Sequence, residues 1–325
     1  MTSGAGVTRR APTRAWTRPA IHLVGTLTIV LTGALGAWTT GAHASLGAKG
    51  AVINAVGAEN QYANVLSQIG GRYVQVSSIL NNPNTDPHTF ESSPSVAEEV
   101  SAAQLIVQNG LGYDTFMNKI ESASPSSARK VIVVQSLLGL PNSTSNPHLW
   151  YNPKTMPAAA KAMADDLSDL QPTHAAYFQA NLKQFDASLA PWFAAIAVFK
   201  AQHKEVAVAT TEPVADYLLS AMGIKNLTPW QFQADIMNGV DPAPQDVTLE
   251  NGFFTNRTVK AFVYNQQVID ALTNSIRLGA LKAGVPIVGV YETMPTPGYD
   301  YQSWMLAEVT AIEKAVEHAV STQHL

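Results

Sequence analysis

The chain has 325 residues, 46% hydrophobic and 14% charged, so it is too long for one small core and too apolar for wholesale disorder. It contains no cysteine, which excludes disulfides, thiolate zinc sites and cysteine nucleophiles; any bound metal must sit on nitrogen and oxygen. A formal net charge of −4 argues against nucleic acid, which needs a basic stripe.

Residues 1–44 read as an export leader. Arg9, Arg10, Arg14 and Arg18 form a basic opening without an acid, residues 20–38 are apolar, and Ala42-His43-Ala44 fits the small-x-small cleavage pattern. The expectation is a signal peptide cleaved near Ala44. An uncleaved anchor is the alternative, because residues 20–38 are just long enough to span a bilayer. Arg9-Arg10 is a weak twin-arginine signal. With no cysteine after the apolar stretch, a lipoprotein anchor is chemically impossible, and a free periplasmic monomer is expected. Cleavage leaves 16 basic residues against 24 acidic ones, a balance of −8 that mildly favours cations.

From there the chain alternates strands and helices. Strand-like runs fall at residues 51–56, 74–80, 104–109 and 131–135, with helices at 59–69 and 94–103 between them. Residues 157–170 read as a helix broken at Gln171-Pro172. Residues 173–202 read as one long amphipathic helix that Pro191 should kink or break. The βα pattern then restarts, with strands at 205–209, 260–264 and 286–290 and helices at 213–222, 267–283 and 304–321. The predicted fold is α/β: two βα lobes with mostly parallel sheets, joined by a single long helix. The predicted divisions are 1–44 leader, 45–171 first lobe, 172–202 linking helix and 203–325 second lobe.

Two of the eight histidines stand in similar turns after strands, Asp86-Pro87-His88 and Asn146-Pro147-His148. Loops at the carboxyl ends of parallel strands are where open α/β sheets bind ligands, and neutral imidazole is the commonest transition-metal ligand. From spacing alone, these turns read equally as metal ligands or as loop histidines bonded to backbone carbonyls. His174 and His203 read as surface residues. The second lobe places Glu212 and Glu292 after strands in matching positions. A carboxylate at a helix N-terminus is the alternative for both, most seriously for Glu212.

Residues 85–91 (Thr-Asp-Pro-His-Thr-Phe-Glu) and 146–153 (Asn-Pro-His-Leu-Trp-Tyr-Asn-Pro) resemble the two histidine motifs of the zinc/manganese-type (cluster A-I) solute-binding proteins of ABC importers. Residues 109–114 (Asn-Gly-Leu-Gly-Tyr-Asp) are similar to that family's strand-end motif. Residues 212–218, opening on Glu212, resemble the motif of the third ligand, and residues 290–293 sit where the fourth falls. The resemblance covers essentially the whole chain after the leader. It implies two lobes with a metal clamped in the cleft between them, and His88, His148, Glu212 and Glu292 as ligands. Three departures stand out. The family's fourth ligand is usually Asp, so Glu292 needs a slightly retracted backbone, with Asp300 in reserve. No His- and acid-rich insert lies between Val134 and His148. The family also does not require Pro191.

The function implied is a periplasmic receptor, not an enzyme, that hands one divalent transition metal to an ABC importer permease. Two imidazoles and two carboxylates neutralise a divalent cation. Mn²⁺, Zn²⁺ and Fe²⁺ fit such a set. Glu in third place and the absent insert lean toward Mn²⁺, while Zn²⁺ has the higher raw affinity. A metal-dependent hydrolase and an adhesin with a structural metal are the rival readings.

Overall fold

The computed structural model describes residues 52–325; the expected leader lies outside the described residues. The first sheet is built from β1 (Ile53–Glu59), α1 (Asn60–Gly70), β2 (Val74–Leu80), α2 (Pro94–Ala102), β3 (Leu105–Gln108), α3 (Thr115–Ala123), β4 (Lys130–Val133) and the single turn α4 (Val134–Leu137). All its pairings are parallel, in the order β2-β1-β3-β4. Helices α5 (Thr155–Leu170), α6 (Ala175–Ser188) and α7 (Ala190–Gln202) follow.

The second sheet comes from β5 (Ala207–Thr210), α8 (Asp216–Ala221), β6 (Lys225–Asn226), α9 (Trp230–Met237), α10 (Pro244–Thr255), β7 (Ala261–Asn265), α11 (Ala271–Lys282) and β8 (Ile287–Val290), closed by α12 (Tyr301–His318). It is parallel too, ordered β6-β5-β7-β8. Strands β3, β7 and β8 are buried at every residue, as parallel strands covered on both faces must be. The expected two-lobe α/β architecture is present. Among the described residues no helix is long and apolar enough to cross a membrane.

The stretch at 173–202 forms two helices that meet at Leu189, not one. Leu189 keeps helical dihedrals, but Pro191 falls in the first turn of α7, where its missing N–H costs nothing. Helix α6 packs on α5 and α1, and α7 packs on α12. The two halves of this stretch therefore lean on different lobes.

One apolar cluster runs through both sheets. It joins Ile53 and Val107 of the first to Val208 and Val288 of the second through Trp150, Trp192, Tyr301 and Trp304, all essentially buried. Polar latches reinforce it. Asn60 pairs with the Met294 backbone in both directions, at 2.8 and 2.9 Å, and the Tyr301 hydroxyl donates to the Trp150 carbonyl at 2.7 Å. Gly57 lets α1 start this close to β1, since a Cβ there would strike the Ala63 backbone.

Glu308 sits inside this core, fully buried, accepting from Trp304 Nε1 at 2.9 Å and from the Tyr151 hydroxyl at 3.1 Å. Burial pushes its pKa up to about 8 against those two hydrogen bonds. The folded state therefore favours the neutral acid. That contribution is complete below the unfolded value near 4.5 and is lost as pH rises toward 8. Relative to wild type, Glu308→Gln should gain stability with pH over this interval, by up to about 1.4 kcal/mol per unit. Denaturant melts at pH 4.5, 6 and 8 check this; a pH-independent difference would mean Glu308 is ionised in the fold.

Candidate metal centre

The carboxyl ends of both sheets face one another and supply the polar groups. On the first-lobe side, His88 and His148 are set by the same local device. The Asp86 side chain accepts the His88 N–H at 2.8 Å, and the Asn146 side chain accepts the His148 N–H at 2.9 Å. Each is an Asx turn with Pro fixing the residue between. From the second lobe, Glu212 follows β5, Asn265 ends β7 and Glu292 follows β8.

Glu292 is the hub. Its Oε2 lies 3.2 Å from Nε2 of both His88 and His148 and accepts from the Tyr113 hydroxyl at 2.9 Å. The Glu292 and Thr293 N–H groups both donate to Gln267 Oε1 at 2.7 Å, and Gln61 Nε2 reaches the Glu292 carbonyl at 3.3 Å. Gln267 also donates to the Thr85 carbonyl at 2.7 Å, which ties the His88 loop to this turn. His88, His148 and Glu292 each offer an atom within 4.8 Å of the others. Ligands 2.0–2.2 Å from a tetrahedral zinc sit roughly 3.3–3.6 Å apart, so the two spacings of 3.2 Å between the histidines and Glu292 need to open by only a few tenths of an ångström.

Glu212 stands just outside that trio. Asn265 bridges it to Glu292, donating from Nδ2 to Oε1 of each, at 3.0 and 2.8 Å. The other oxygen of Glu212, Oε2, is buried without a hydrogen-bond partner. Helix capping does not explain Glu212, because its carboxylate bonds to Asn265 and α8 starts only at Asp216. Asp300, the reserve ligand, is instead the N-cap of α12. Its carboxylate takes the Ser303 N–H at 2.9 Å in a reciprocal capping box and is outside the trio.

The protonation pattern is uneven. Burial would lower the pKa of His88, but the adjacent Glu292 carboxylate outweighs it and raises it to about 9. Burial lowers that of His148 despite the pull of Glu292. Burial alone would raise Glu292, but the protonated His88 beside it holds it below the usual carboxylate range. Glu212 is raised well above that range by burial and then by Glu292.

The tautomer of His148 follows from its neighbour. Asn146 Nδ2 donates to the Pro213 carbonyl at 2.7 Å, so Asn146 Oδ1 must face His148, 2.8 Å from Nδ1. His148 therefore carries its proton on Nδ1 and turns a bare Nε2 lone pair toward a carboxylate oxygen. Two lone pairs 3.2 Å apart in buried space repel, and a cation between them removes the conflict. A cleft lined by His88, Leu111, Tyr113, Ser145, Pro147 and Trp230 leads outward from this point.

The structure brings the expected His88, His148 and Glu292 within reach of one another, with Glu212 beside them, but the two loop histidines differ in burial. His148 is fully buried, whereas His88 keeps 28% of its side chain exposed. Asn146 and Tyr113 lay inside the quoted motifs without an assigned role. Asn265 and Gln267 were missed, although the strand-end logic that found Glu212 and Glu292 applies equally to the end of β7.

A family profile described as ZnuA, zinc-uptake complex component A periplasmic, matches residues 56–315. The manganese-binding lipoprotein MntA of Bacillus subtilis (strain 168) is 24% identical over 136 residues, which is 40% of this chain and 44% of that protein. The match spans between a third and a half of the length of the curated relatives it meets first. Two solved structures share its fold. The periplasmic zinc binding protein TroA from Treponema pallidum has TM-score 0.69 at 19% identity, covering 83% of this chain and 100% of that one. FpvC from Pseudomonas aeruginosa in complex with Mn²⁺ has TM-score 0.66 at 19% identity, covering 83% and 99%. With a profile match over most of its length and this fold, the chain belongs to the ZnuA family.

Proposed function

We propose that the protein is a periplasmic substrate-binding receptor, without catalytic activity, that captures one Mn²⁺ or Zn²⁺ ion and delivers it to the permease of an ABC importer. The ligands are His88 and His148 from the first lobe (45–171) and Glu212 and Glu292 from the second (203–325), with 172–202 as the link. The observation that carries this is the His148 Nε2 lone pair held against Glu292 Oε2 in a buried site beside a second histidine. The partnerless Oε2 of Glu212 supports the fourth position. The names of the relatives point to manganese or zinc in those proteins.

Titration of the metal-free protein with each ion should give one reversible site per chain. Absence of saturable binding by either ion would overturn the reading. Glu212→His tests the fourth ligand. It changes the set to three nitrogens and one carboxylate and should raise the preference for Zn²⁺ over Mn²⁺, since imidazole suits zinc and carboxylate suits manganese. An unchanged ratio, measured by competition, would remove Glu212 from the site.

Asn146→Ala removes the acceptor that fixes the His148 tautomer. Loss of such an outer partner costs about 10–100-fold in metal affinity. Wild-type affinity in this variant would show that the ring is oriented by its packing alone.

A further inference from the structure

The Asn265 amide is committed at both ends. Its two Nδ2 hydrogens go to Glu212 Oε1 at 3.0 Å and Glu292 Oε1 at 2.8 Å. Its Oδ1 accepts the Gln267 N–H at 3.0 Å, so the amide has one orientation only. The backbone N–H of Asn265 donates to Thr211 Oγ1 at 2.9 Å, and the residue is fully buried at the end of β7. One side chain thus occupies one oxygen of each carboxylate. What remains is Glu292 Oε2, which faces both histidines, and Glu212 Oε2, which has no partner.

We propose that Asn265 determines metal specificity by holding Glu212 and Glu292 to one oxygen each, which limits the ion to four protein ligand atoms. The proposal rests on the ligand set put forward above. Two imidazole nitrogens and two single carboxylate oxygens make a four-coordinate N2O2 shell. Zn²⁺ accepts four ligands readily, whereas Mn²⁺ favours octahedral, oxygen-rich shells and gains from carboxylates that chelate through both oxygens. The shared amide pins each carboxylate with Oε1 toward Asn265 and Oε2 away from it, and turning either acid so that both oxygens meet the ion at chelating distance would strain these buried hydrogen bonds. Asn265 therefore works against manganese at a site whose carboxylate content alone would favour it.

The test uses the whole protein after the leader and three ions. Co²⁺ reports coordination number through its visible bands, which are intense when it is four-coordinate and weak when it is six-coordinate. Wild-type Co²⁺ protein should show the intense bands. Asn265→Ala should lose most of that intensity, and its Mn²⁺-to-Zn²⁺ affinity ratio should rise by about tenfold, in line with the effect of losing an outer-shell partner. Asn265→Ser, which keeps one donor, should fall between the two and carries the test if the alanine variant fails to fold by circular dichroism. Weak bands in the wild type, or unchanged bands and ratio in the folded variant, would overturn the role of Asn265 while leaving the metal site standing. Failure of wild type to bind any of the three ions would overturn the metal site itself, and the proposal with it.

Discussion

Glu292→Gln is expected to weaken Zn²⁺ and Mn²⁺ binding by about two to four orders of magnitude, the roughly 3–5 kcal/mol typical of removing one partner from a buried charge cluster. The side chain keeps its shape but loses the charge around which His88, His148, Tyr113 and Asn265 are arranged. A glutamine amide must also turn its NH₂ either toward Asn265 or toward the side of His88, His148 and Tyr113. Facing Asn265, it loses that bond; facing the histidines, it replaces the oxygen that would hold the ion. Competition titration against a chelator of known affinity measures the effect. Glu317→Gln, which alters a surface acid paired with His203, serves as the control and should bind as wild type does. A Glu292→Gln variant within threefold of wild type would remove Glu292 from the ligand set.

A second large effect is expected in the thermal stability of the loaded protein. At free metal a hundredfold above Kd, binding to the native state alone adds about 2.7 kcal/mol. For a chain of this size that is roughly 5–10 °C in Tm. The increment should fall steadily below pH 9, standing well above zero at pH 8 and nearly absent at pH 5. The sign follows from His88, whose pKa Glu292 raises to about 9. Its proton stabilises the metal-free fold fully below the unfolded value near 6.5, and this contribution is lost as pH rises through 9. Glu292, held low, gives up its share only as pH falls below its unfolded value near 4.5. Between those limits the metal-free pair is at full strength, and an incoming ion must displace a proton. Each displaced proton costs about 1.4 kcal/mol per pH unit, or about 4 kcal/mol from pH 8 to pH 5. Melting curves with and without metal at pH 8, 6.5 and 5 test this. A shift that survives undiminished at pH 5 would require a site without histidine.

The strand–helix alternation and the two Asx-Pro-His turns were legible in the sequence because both are local. Parallel strands buried on both faces read as short apolar runs, and an Asx turn needs only three residues. The helices α3, α9 and α10 and the two-residue strand β6 were not read, being short or weakly amphipathic. Helix α11 begins four residues later than expected because Asp270 and Thr273 form a capping box that fixes its start at Ala271. Burial of His148 was not legible either, since Tyr113 edges the ring from a separate segment while the neighbouring Trp150 edges it from its own. The lean toward manganese rested on a carboxylate in third place and on the absent His- and acid-rich insert. Asn265 shows what such features leave out: the number of oxygens an acid can offer depends on a neighbour that no ligand motif contains.

The latch between Asn60 and the Met294 backbone joins groups 234 positions apart, and no two of the proposed ligands lie within fifty residues of one another. An unfolded chain therefore carries no local chelate, and the proposed centre can form only once nearly the whole polypeptide has folded. For an exported receptor, the timing of folding relative to export would then decide what is loaded. A chain that crosses the inner membrane unfolded arrives empty and samples the ions outside. One that crosses already folded would carry its cargo from the cytosol, where competition among divalent ions is settled by intrinsic binding strength and puts manganese last.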